Sequence, residues 1–201
     1  TIASPATNTD RTLTLPDEAG TVLTSASSLA SANLTGTVTV SGSNVGIGVT
    51  PSAWTSGYSV IEGVNGQSIS FAGTTPAFTS NGYVTGAGWV YKTSNYASNY
   101  YQYAGQHIWR NAPSGTAGTA ISFTQAMTLD SSGNLLVGTT SNNIYGGTTT
   151  GINLNPDGAT SFNRASGQAA MFNRISTDGD IVQFRKDGTT VGSIGVGNGS
   201  S

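Results

Sequence analysis

The chain has 201 residues, of which 8% are charged and 36% hydrophobic, with a formal net charge of −2. Seven basic residues are too few for a phosphate-neutralising surface, which argues against a nucleic-acid partner. No stretch approaches the roughly 20 apolar residues of a membrane-spanning helix, so no membrane insertion is expected, and the absence of cysteine excludes disulfides and thiolate metal sites.

Gly, Ser, Thr and Asn together make up about half of the chain. Short Thr-, Val-, Ile- and Tyr-containing runs between Gly and Asn favour strands and tight turns. With so few charges to guard strand edges, the composition points to an all-β oligomer whose edges are covered by other copies.

In chain order, residues 12–15 (Thr-Leu-Thr-Leu) alternate as a strand, residues 16–20 form a turn and residues 21–24 resume as a strand. Residues 25–34 are the one helix candidate, and residues 37–40 alternate again. Val45, Ile47 and Val49 face one way, with Gly46 and Gly48 between them, a pattern that suggests a closely passing backbone. All three tryptophans, Trp54, Trp89 and Trp109, fall between residues 52 and 128 with most of the tyrosines. Turn signals then recur at residues 130–134, at 155–158, at Asp178-Gly179 and at Asp187-Gly188, between segments that read as strands. Three regions follow: an N-terminal β connector (1–44), an aromatic-rich β domain (45–128) and a C-terminal β-hairpin shaft (129–201).

The aromatic stretch holds the candidate site. Trp89 and Tyr91, Tyr101 and Tyr103, and His107 and Trp109 are each two apart, so each pair projects from one face of a strand. Asn95, Tyr96, Asn99 and Tyr100 read as a connection reaching the surface. Flat rings interleaved with amides suit the apolar face and the hydroxyls of a sugar, and similar mixtures serve binding surfaces elsewhere. The candidate receptor- or glycan-binding residues are therefore Trp89, Tyr91, Asn95, Tyr96, Asn99, Tyr100, Tyr101, Tyr103 and Trp109. Packing in the core or between subunits is the alternative for each ring.

Catalytic constellations are sparse. His107 is the sole histidine and reads as a strand residue beside Trp109. Glu62 is the lone acid of the middle region, whereas a glycan hydrolase needs two carboxylates flanking the bond. Asp157, Asp178, Asp180 and Asp187 sit in turn contexts that explain them without chemistry. No catalytic residue, metal site or cofactor is assigned.

Four segments carry a resemblance: TLTLPDEAGTVLTS (12–25), NVGIGVTPSAW (44–54), AMTLDSSGNLLVGTT (126–140) and DGDIVQFRKDGTTVGSIGV (178–196). They resemble segments of tail fibre and tail-spike proteins of tailed bacteriophages, of the kind followed by a C-terminal self-cleaving intramolecular chaperone. Neither a virion-anchoring domain nor the chaperone is seen in this chain. Ser200 and Ser201 lack the acidic and lysine context of the chaperone's cleavage junction, and no nucleophile role is assigned to them.

The resemblance implies an elongated trimeric fibre with stacked or intertwined C-terminal β-hairpins, joined to other virion tail proteins and acting outside the host cell. It also implies adhesion to the host surface through a bacterial surface glycan or protein receptor. A purely architectural fibre segment and a polysaccharide-degrading tail-spike are the alternatives.

Overall fold

The computed structural model describes residues 40, 44–144 and 148–197, all within a compact unit that begins at Val40. The strands and helix expected before Val40 lie outside the described residues. The fold is all-β, with no α-helix among the described residues.

Its strands are β1 (Val45–Gly46), β2 (Ser59–Glu62), β3 (Ser68–Ala72), β4 (Thr75–Ser80), β5 (Gly82–Thr85), β6 (Gly88–Tyr91), β7 (Asn95–Tyr103), β8 (Gln106–Gly115), β9 (Thr124–Leu129), β10 (Leu135–Val137), β11 (Gly151–Leu154), β12 (Thr160–Asn163), β13 (Gly179–Lys186) and β14 (Thr189–Val196). Ten of them form one open sheet, ordered β1-β2-β3-β4-β7-β8-β9-β10-β11-β12. From β2 onward it is an antiparallel meander, while β1 pairs parallel to β2. The ladder runs unbroken across residue 128, because β9 pairs with β8 on one side and β10 on the other. The β5–β6 hairpin leaves the meander and packs on one face, and β13–β14 is a separate hairpin.

Turn chemistry sets several of these reversals. Asp187 and Gly188, at φ +49° and +79°, join β13 to β14 with the two left-handed residues of a type I′ turn. Asp130 accepts hydrogen bonds from the Ser132 and Asn134 amides between β9 and β10. Asn155 and Gly158 close the β11–β12 turn through the Gly158 amide, 3.0 Å from the Asn155 carbonyl. Asp178-Gly179 differs from expectation: Gly179 already pairs with Val196, so this dipeptide opens a strand instead of turning a hairpin. The alternation at residues 45–49 also yields only the two-residue β1. Ile47 is exposed, and the chain folds back so tightly that a Cβ on Gly46 would lie 1.9 Å from the Val49 carbonyl oxygen.

The register sorts the side chains of the large sheet into two unlike faces. On one face, direct cross-strand partners run Glu62, Ser68, Thr79, Asn99 and Arg110. This polar row is largely buried, since Trp54, Val84 and Trp89 pack around Val60, and Tyr91 packs on Ala97 and Ala112. On the opposite face, partners run Val45, Ile61, Ile69, Phe78, Tyr100, Trp109, Met127, Val137, Ile152 and Phe162. That is one large apolar or aromatic residue from every strand of the sheet, over roughly 40 Å at ordinary strand spacing. Phe78 is 54% exposed, and Phe162 and Ile61 are also open to solvent.

Asn81 pins the excursion of β5–β6. It is buried, at φ +59°, a left-handed conformation that Asn tolerates better than most residues. Its side-chain amide nitrogen donates toward the Thr93, Asn95 and Tyr96 carbonyls, and its oxygen accepts from the Thr93 amide and hydroxyl. The point where the chain leaves β4 is thereby tied to the point where it re-enters at β7. Asn81→Ala is expected to cost about 2–4 kcal/mol by leaving several buried backbone groups unmatched. Thermal or urea unfolding measures it.

Candidate functional site

The candidate residues do not form one patch. Asn95, Tyr96, Asn99 and Tyr100, expected in a connection, belong to the nine-residue strand β7, and the connection from β6 shrinks to residues 92–94. Pairing with β4 and β8 on either side extends the strand through a polar segment that looks like a loop by composition. The three expected i, i+2 pairs do lie on strands β6, β7 and β8.

Tyr91 serves the core. It is buried, its hydroxyl donates to the Pro113 carbonyl at 2.6 Å, and its ring lies against Gly115. A Cβ at Gly115 would fall 2.2 Å from that ring, so only glycine fits there. Asn99 is also buried, donating to Thr79 Oγ1 at 2.8 Å and accepting from Arg110 Nε and Nη2 at 3.2 and 2.7 Å. Tyr96, at 71% exposure, and Tyr103 stand open, and Asn95 is exposed beside Tyr96.

Tyr100 and Trp109 lie on the apolar face, their ring centres 5.2 Å apart. Phe78 and His107 extend the cluster at 6.1 Å from Tyr100. Tyr100 Oη and His107 Nδ1 share a 2.6 Å hydrogen bond, which accounts for the lone histidine as a strand residue. Phe78, Tyr100 and Trp109, with Ile61 and Ile69, line a shallow groove of about 560 Å³ whose exposed surface is mostly apolar, although Ser68, Thr79, Asn99 and Arg110 also border it.

Trp89 and Tyr101 face the other way, into the polar side of the sheet. They line a smaller pocket of about 330 Å³ with Tyr58, Ser70, Thr75 and Arg110. The Arg110 guanidinium is sandwiched between Tyr101 and Phe123, 4.4 and 4.8 Å from the ring centres. Burial pushes the Arg110 pKa down, against the opposing influence of Tyr101 and Tyr58, yet a guanidinium stays charged at any ordinary pH. Composition gave no signal for Arg110, since its role depends on strands that meet only in the sheet.

Glu62, the lone acid of the middle region, is a structural tie. It is 0% exposed and accepts from the Ser52 amide and hydroxyl, both at 2.7 Å, and from Trp54 Nε1 at 2.8 Å. Lys92 Nζ stands 3.5 Å away and donates to Ser52 Oγ at 2.7 Å. Burial alone raises the Glu62 pKa, but the Trp54 and Ser52 hydrogen bonds and the Lys92 charge outweigh it and hold the carboxyl below its ordinary value. Both carboxylate oxygens are engaged, and no second carboxylate takes part. Among the described residues no three His, Asp or Glu side chains gather as a metal centre.

No family model, curated protein or solved structure matches the chain.

Proposed function

We propose that this chain is a structural segment of a bacteriophage tail fibre that assembles as a parallel homotrimer and attaches the virion to a bacterial surface glycan. The observation that carries the reading is the uncharged apolar row across the open face of the ten-stranded sheet. Its polarity is inverted for a lone chain: a polar row is covered while Phe78, Ile61 and Phe162 face water. Contiguous exposed apolar surface of this kind marks an interaction site. No Asp, Glu, Lys or Arg occurs in the row or among its flanking partners His107, Leu129, Leu135 and Leu154, so no complementary charged partner is called for. Three identical rows meeting about one axis satisfy that surface by themselves.

In this arrangement Tyr100 and Trp109 belong to subunit packing, because aliphatic residues continue their row in both directions. The polar face, the β5–β6 hairpin and the exposed Tyr103 turn outward, where a receptor can reach them. Such a fibre displays each site in triplicate, so weak individual binding suffices through avidity. The four tail-fibre-like segments support the virion setting, with other tail proteins as partners.

Analytical ultracentrifugation and retention on immobilised host-surface polysaccharide, with an assay for new reducing ends, test the reading together. A trimer that is retained and releases no reducing ends is the expected result. Release of reducing ends would replace attachment by hydrolysis. A trimer retained on neither polysaccharide nor cells would leave the architectural role alone, and a folded monomer would overturn the assembly.

A further inference from the structure

We propose that the pocket on the polar face, which Arg110 lines, binds a uronic acid residue of an acidic surface polysaccharide. The proposal rests on the attachment reading and names the ligand class of one site within it.

Two cations of the described residues are not fully exposed, and they are treated differently. Lys92 has Glu62 beside it. Among the described residues Arg110 has no carboxylate partner: its hydrogen bonds there both go to Asn99 Oδ1, through Nε and Nη2, and Nη1 makes none. The rings of Tyr101 and Phe123 flank the guanidinium and, with the two bonds to Asn99, restrict it. A fixed, partly desolvated guanidinium with donors to spare matches a carboxylate better than any neutral group.

A second, independent feature lies in the same pocket. Ser70, 1% exposed, lines it, and its hydroxyl has no hydrogen-bond partner among the described residues. An unmatched buried hydroxyl is costly, and a ligand hydroxyl entering the pocket would satisfy it after a small shift of the side chains that cover Ser70 Oγ. Thr75 adds another hydroxyl, and Tyr58 and Trp89 contribute aromatic surface. At about 330 Å³ the pocket is at the small end of ligand sites, which suits one sugar unit of a chain and not an extended polymer. A carboxylate, several hydroxyls and apolar C–H faces on one compact ring are the chemistry of a uronic acid.

The test is calorimetric titration of the full chain with trigalacturonate and with neutral galactotriose, alongside cell binding. Trigalacturonate is expected to bind at least 10-fold more tightly than the neutral sugar, with affinity falling as salt rises. Arg110→Gln should lose on the order of 10–100-fold for trigalacturonate and little for galactotriose. Ser70→Ala should weaken trigalacturonate several-fold while raising the melting temperature, because it deletes an unmatched hydroxyl. A residue with only a structural role would not produce those opposite movements, and this variant keeps the test sharp if Arg110→Gln folds poorly. Equal binding of both sugars, no binding of either, or undiminished binding by Ser70→Ala would overturn the acidic pocket. If cells are still bound in that event, attachment stands and only this ligand assignment falls. Loss of cell binding by the unsubstituted protein would remove both.

Discussion

Phe78→Asp protein is expected to sediment as a folded monomer at concentrations where the unsubstituted chain sediments as a trimer. Phe78 is 54% exposed in the single chain, beside Ile69 and the Tyr100 ring, so the change costs the isolated fold little. In the proposed assembly the same side chain is buried in every copy. Losing it removes about 1.5–3 kcal/mol of apolar burial per chain, and each new carboxylate adds a desolvation cost of several kcal/mol without a cation nearby. Like charges brought together near an axis raise that cost further. Phe184→Asp on β13 should act in the same direction, because Phe184, Val191, Ile194 and Val196 are all exposed on the β13–β14 hairpin. Sedimentation velocity paired with circular dichroism separates loss of assembly from loss of fold. An unchanged trimer for Phe78→Asp would remove the apolar row from the interface.

Glu62→Ala is expected to destabilise the protein by about 3–5 kcal/mol, the range for removing one partner from a buried charged network. The substitution strands the Trp54 indole N–H and the Ser52 amide and leaves Lys92 without its counter-charge. Glu62→Gln should cost less, since one carbonyl oxygen still accepts from Trp54 and Ser52. The two variants also differ from the parent in acid. Because the folded-state pKa of Glu62 is depressed, its contribution is fully present above the unfolded glutamate value, about 4.3, and is lost as pH falls through the lower folded value. The melting temperature of the parent should therefore fall toward that of Glu62→Gln as pH drops below about 4. Parallel melting curves from pH 7 to pH 3, with a constant gap between the two proteins, would show that the carboxylate charge contributes nothing.

The reading of Tyr96 and Tyr100 as loop residues shows where local signals mislead. Residues 93–99 are rich in Ser and Asn, which favour turns in isolation. Strand β7 nevertheless runs through them, because β8 supplies hydrogen-bond partners along most of its length and β4 along part of it, while Ala97 and Asn99 have a buried face to occupy. Pairing across a sheet overrides a propensity difference of a few tenths of a kcal/mol per residue.

The all-β class, the reversals at residues 130–134, 155–158 and 187–188, and the i, i+2 pairing of the aromatic residues are legible in the chain alone. These follow from nearest-neighbour physics: positive φ at Gly and Asp, side-chain bonds to adjacent amides, and the two-residue period of an extended chain. Which face each residue serves is settled by strand pairing and packing across the fold. The apolar row takes one residue from each of ten strands, and its members meet solely through cross-strand register. Ser52, Glu62 and Lys92 are up to 40 positions apart, and Ser70 and Arg110 reach one pocket from different strands. The β5–β6 hairpin, pinned by Asn81, folds over the polar row and leaves the apolar one open. That choice is made by long-range packing, and no short window of the chain contains it.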